Sequence, residues 1–127
     1  MATTLNIIES AYRATIEEQD DTIVWITHAM KGAGAELSVL LRGNAVNYCV
    51  TGQKAPEISF GAWQQTHAAQ IDQDLIALMG KGVPVYVMEE DLAKRGISLS
   101  ELISGVKTVN REGLLDLIEN HDRIWHW

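Results

Sequence analysis

Gly82-Val83-Pro84-Val85-Tyr86-Val87-Met88-Glu89-Glu90-Asp91-Leu92-Ala93-Lys94-Arg95-Gly96-Ile97 decides the fold. Val83 to Met88 is an unbroken apolar run, the pattern of a strand covered on both faces, as in a parallel sheet. Pro84 stands near its start, where a missing ladder donor costs little. Glu89, Glu90 and Asp91 then place three carboxylates at a helix N-terminus, where the macrodipole favours negative charge. Lys94 and Arg95 fall in the last turn, and Gly96 fits the position just past the end. Ligands of open α/β sheets bind at strand carboxyl ends, so Met88 and Glu89 are expected beside any site.

Outward from this stretch, strands and helices alternate. Thr4 to Ser10 reads as a first strand. Ala11 to Lys31 reads as helical, interrupted near Asp20-Asp21, with these aspartates capping the second part. Ala35 to Leu41 reads as a second strand. Arg42-Gly43-Asn44 follows as a tight turn, with Asn44 as N-cap of a short helix carrying Cys49. Residues 51–65 read as a loop with short helical pieces. Gln70 to Met79 is an amphipathic helix leading into the 83–88 strand. A helical turn around Glu101, a strand over 105–109 and a helix capped by Asn110 follow. That helix has Leu114, Leu115, Leu117 and Ile118 as its inner face, and a last strand spans Asp122 to Trp127. The alternation predicts one α/β domain over 1–127, a layered sandwich around a mostly parallel sheet.

The 127 residues allow a real core, and 46% hydrophobic with 21% charged residues is an ordinary globular composition. A net charge of −7 argues against nucleic acid and anionic membrane as partners. No apolar run approaches the roughly 20 residues that span a bilayer. The first residues lack a basic segment followed by an apolar one, so no signal peptide is expected and the location read is cytoplasmic. The single cysteine excludes an internal disulfide and a multi-cysteine zinc site. No GxGxxG, Walker-type loop or nucleophile elbow is present, and no cofactor is expected.

The strand followed by Gly43-Asn44-Ala45-Val46, then Gly82-Val83-Pro84-Val85, Leu92-Ala93-Lys94-Arg95-Gly96-Ile97, Glu101-Leu102-Ile103-Ser104-Gly105-Val106 and the closing 114–125 segment resembles the DsrE/DsrF-like family. The resemblance covers Leu5 to Trp127. It implies a three-layer α/β/α sandwich with a five-stranded, mostly parallel sheet. It also implies a homo-oligomer, trimer or hexamer ahead of dimer, and a sulfur-relay protein as partner. The best-known members carry sulfur as a cysteine persulfide at the end of a strand, eight residues before the glycine of an Arg-Gly pair. Counting back from Gly96, that position here is Met88. A thioether has no ionisable S–H, so the persulfide chemistry does not carry over to it.

Cys49 is left as the catalytic candidate, a relocated sulfur carrier or else a small buried apolar residue. Met88, Glu89, His67, Asn44 and Arg95 are the binding candidates around the strand ends. Met88 also reads as a core gap-filler, and His67 as an exposed polar side chain. Arg42 and Arg95 fit either an anion or surface salt bridges. The histidines have no metal-ligand spacing, so no metal site is expected. The functional expectation is a non-catalytic subunit or binding module of sulfur relay. The alternatives are a carrier using Cys49 and a small-molecule binder with its pocket at the strand ends.

Overall fold

The computed structural model describes residues 2–12, 21–53, 57, 59–65 and 68–127. Five strands form a fully parallel sheet: β1 (Thr3–Ile8), β2 (Glu36–Leu41), β5 (Val85–Met88), β6 (Lys107–Val109) and β7 (Arg123–His126). Their spatial order is β6-β5-β2-β1-β7. The middle strand is therefore β2, and β5 lies beside it. Both carry continuous apolar runs, which report burial on two faces and leave the lateral order open.

Among the described residues four α-helices connect the strands: α1 (Thr22–Gly32), α2 (Ile71–Gly80), α3 (Glu89–Lys94) and α4 (Arg111–Glu119). Asp21 caps α1, accepting from the backbone N–H groups of Ile23 (2.8 Å) and Val24 (3.0 Å). Asn110 caps α4, its Oδ1 accepting from Gly113 N–H at 2.8 Å. Within the described residues the expected strands and helices follow in order, except that Ala11 and Tyr12, read as the start of a helix, are irregular, with Tyr12 at φ +58°. Residues 13–20, within the stretch read as helical, lie outside the described residues.

Two corrections follow from local geometry. Asn44 does not cap the short helix, which is a 3-10 helix over Gly43–Cys49 preceded by an extended Arg42. The described part of 57–65 holds an antiparallel hairpin, not helical turns: β3 (Ser59–Phe60) pairs with β4 (Trp63–Gln64) around Gly61 at φ +59°. A glycine with positive φ is what a tight hairpin turn needs.

Among the described residues, the sheet's two faces are covered unequally. On one face α1, α2 and the 3-10 helix bury the larger core, including Ile8, Val24, Leu41, Leu75, Leu78 and Val87. On the other, Leu5, Ile7, Leu40 and Met88 pack with Leu117 of α4. Of the expected inner face of α4, Leu117 is buried and Leu114 and Ile118 are partly buried, whereas Leu115 is 66% exposed. Five strands at about 4.8 Å spacing make a sheet roughly 20 Å wide. One helix about 10 Å across spans half of that.

A buried polar chain fixes the β1–α1–β7 corner. Thr27 Oγ1 donates to Ile23 O (2.7 Å) and accepts from Asn6 Nδ2 (2.7 Å), and Asn6 Oδ1 accepts from the Trp127 indole N–H. Each buried group finds its partner, as burial of polar groups demands.

Candidate functional site

The carboxyl ends of the strands collect most of the chemistry-bearing side chains. Arg42 follows β2, Glu9 follows β1, and Met88 ends β5. The strand register pairs Ile7 with Leu40 and Leu40 with Tyr86. Side chains alternate along a strand, so Glu9, Arg42 and Met88 continue the α4-side face one step further. His126 pairs in register with Ile7 and joins them there.

Glu9 Oε2 lies 2.5 Å from His126 Nε2, with both side chains about half exposed. The Glu9 stem rests on Gly43, whose φ is +56°; a Cβ there would lie 3.0 Å from Glu9 Cγ. Any larger residue at position 43 would meet both strain and contact. Arg42 is the neighbour of this pair but has no share in it. Its Nε is enclosed and has no hydrogen-bond partner, and among the described residues no carboxylate pairs with its guanidinium. Among the described residues the salt bridge open to Arg42 from sequence is therefore not made. A buried donor left unpaired costs about 1–3 kcal/mol, and more on a charged group.

Met88 is 5% exposed and packs in the smaller core. Glu89 is exposed at the first position of α3. Glu90 Oε2 accepts from Arg111 N–H at 2.8 Å, which holds the Glu90 carboxyl below its ordinary pKa; Glu90 Oε1 is enclosed without a partner. Asp91 accepts from Gly43 N–H at 2.8 Å, joining α3 to the 3-10 helix. Asn44 and Arg95 meet: Asn44 Oδ1 accepts from Arg95 Nη2 (2.8 Å) and Nε (3.2 Å), while Arg95 Nη1 donates to Asp91 O (3.1 Å). His67 lies outside the described residues.

Cys49 is sealed from solvent, with its S–H donating to Val46 O at 3.1 Å. Burial pushes the thiol up to about 12. Among the described residues no cation offsets this. The thiol is therefore neutral and unreactive near neutral pH.

Close to Cys49 runs a relay that sequence reading missed. The Tyr48 hydroxyl donates to Asp21 Oδ2 at 2.5 Å and accepts from Tyr12 N–H. Tyr12 packs edge-on against Tyr48 with ring centroids 5.2 Å apart, at a backbone φ of +58°. Burial, then the hydrogen bond to Asp21, raises the Tyr48 pKa. Asp21 was legible as a cap; its second partner, 27 residues on, was not.

An apolar groove of 420 Å³ lies between α1 and β7 and reaches the carboxyl end of β7, lined by Ile26, Met30, Ile124, Trp125, His126 and Trp127. Among the described residues, no group of three His, Cys, Asp or Glu side chains is arranged to hold a metal ion. No described helix is long and apolar enough to cross a membrane.

The fold is shared with solved structures. The YchN protein of E. coli superposes with a TM-score of 0.77 at 21% identity, covering 100% of both chains. MTH1491 of Methanobacterium thermoautotrophicum, described as a protein of unknown function, superposes with a TM-score of 0.67 at 13% identity, covering 98% of this chain and 99% of that one. No curated protein matches. The family model described as DsrH-like protein matches residues 58–124. That span is more than half of the 127 residues and takes in α2, β5 and the Met88 strand end. The chain belongs to the DsrH-like protein family.

Proposed function

We propose that the chain is a sulfur-relay protein of DsrE/DsrF-like character, serving as a non-catalytic oligomeric subunit or binding module. The observation that carries this reading is the state of its strand-end sulfur chemistry. Met88 stands at the position that the family resemblance assigns to the sulfur-carrying cysteine, and a thioether cannot form a persulfide. Cys49, the only thiol, is buried and has its pKa pushed up to about 12. The carrier alternative needs that thiol exposed and activated, and neither condition supports it.

The reading includes a cytoplasmic location, a sulfur-relay protein as partner, and self-association as a trimer or hexamer. The sheet face that the described residues cover with α4 alone and the exposed Trp25, Phe60, Trp63 and Leu115 support association. Exposed aromatic groups of this size concentrate at interfaces. The small-molecule alternative draws support from one observation, the unpaired Arg42 guanidinium at the strand ends.

Incubation with a persulfide donor, followed by intact mass spectrometry, tests the central claim. The expected mass is unchanged. A gain of one sulfur atom that disappears in Cys49→Ser would establish the carrier reading instead.

A further inference from the structure

We propose that Arg42 anchors a small inorganic oxyanion at the carboxyl edge of the sheet, beside Met88. This goes beyond the sulfur-relay reading and does not depend on it. The first support is the state of the guanidinium. Arg95, its counterpart across the turn, has Nε and both terminal nitrogens engaged by Asn44 and Asp91. Arg42 has an enclosed Nε with no partner and no paired carboxylate among the described residues. A guanidinium also presents donors on its two terminal nitrogens, a planar edge that matches an oxyanion edge without using Nε.

The second support is what the neighbours do. Glu9 is the carboxylate placed next to Arg42 by the strand register, and it is turned to His126 instead, at 2.5 Å. Asp91 is occupied by Gly43 N–H, and Glu90 Oε2 by Arg111 N–H. Asp91 and one oxygen of Glu90 are thus held by other donors, Glu90 Oε1 is enclosed without a partner, and among the described residues no acid pairs with the Arg42 guanidinium, whose terminal nitrogens are left for an external acceptor. On the β5 side its neighbour is Met88, buried with Leu40 and Leu117, which supplies an apolar wall and lowers competition from water.

The size and class follow from the same surroundings. Glu89, Glu90 and Asp91 begin α3 near this edge, and the whole chain carries a charge of −7. A large polyanion would meet that field, whereas a compact ion held at one guanidinium meets far less of it. Sulfate, thiosulfate and phosphate share the required oxygen edge.

The test follows the Arg42 Nε–H resonance of the intact protein by NMR. Sulfate, thiosulfate and phosphate are titrated separately, with chloride holding ionic strength constant. The expected result is a saturable shift of that resonance with at least one of the three, and calorimetric affinity reduced about tenfold or more in Arg42→Gln. Lys31→Gln, at the far end of α1, should bind as the unaltered protein does. The Arg42 resonance of the unaltered protein decides the matter if Arg42→Gln fails to fold. A resonance unmoved by all three ions, or moved equally by chloride, overturns the proposal. A shift that follows protein concentration without added oxyanion also overturns it, by assigning the guanidinium to a contact between copies of the chain.

Discussion

At Cys49 and Tyr48, burial holds two weak acids in their neutral forms. Cys49 keeps its proton until about pH 12 in the folded chain, whereas the unfolded thiol ionises near 9.0. The folded-state pKa is the higher one, so this contribution to stability is complete below pH 9 and is lost as pH rises toward 12. Tyr48 acts in the same direction. The expected outcome is alkaline unfolding that begins above pH 9 and is reduced in Cys49→Ala relative to its own neutral-pH stability. Urea denaturation across pH measures it. Tyr48→Phe removes the donor to Asp21 and the acceptor of Tyr12 N–H. It should cost about 1–3 kcal/mol at neutral pH, read from the urea midpoint. Residue identity made some of this legible. A lone cysteine flanked by Tyr48 and Val50 reads as a core residue, and Asp21 reads as a cap. The Asp21–Tyr48 contact and the unpaired Arg42 guanidinium depend on which chain segments meet, which local pattern does not encode.

Among the described residues α4 is the one helix on its face of the sheet, so its cap has a larger consequence than usual. Asn110→Ala should cost about 1 kcal/mol, visible as a lower urea midpoint, with Leu117 packing loosened. The start of β7 is held by Asp122, whose Oδ2 accepts from Thr3 N–H at 2.9 Å. That bond holds the Asp122 carboxyl below its ordinary range. The folded-state pKa is depressed, so the contribution exists above the ordinary carboxylate pKa and is lost as pH falls through the folded value. Fraying of β7 in acid should appear as a change in Trp125 and Trp127 fluorescence, reduced in Asp122→Asn. The element pattern was largely readable because buried strands and amphipathic helices carry different periods. It failed where one signal had two uses. Leu114, Leu115, Leu117 and Ile118 form a stripe wider than a single helix buries against one sheet, and Leu115 falls outside it. Phe60-Gly61-Ala62-Trp63 carried a hairpin signal, a glycine between two aromatic residues, hidden within a glycine- and proline-bearing stretch.

At the scale of the whole molecule, the described residues place one helix over about half of a five-stranded face, and the association reading has another copy of the chain cover the rest. Light scattering at micromolar concentration should give a multiple of 14.1 kDa. Leu115→Glu combined with Ile124→Glu should lower the mass, because both side chains are exposed and apolar now. A mass of one chain for the unaltered protein would end the association reading. The parallel pairing of β1 with β7 has another consequence, for biosynthesis. The contact between Thr3 and Asp122 spans 119 positions. β1 therefore waits through nearly the whole of translation before its outer neighbour exists. During that interval the backbone donors and acceptors along one side of Thr4 to Ile8 stay open. An apolar strand with an open edge recruits strands from other chains. Nascent copies crowded on one messenger should therefore be the most aggregation-prone form of this protein, and slowing synthesis ahead of β7 should lower its soluble yield.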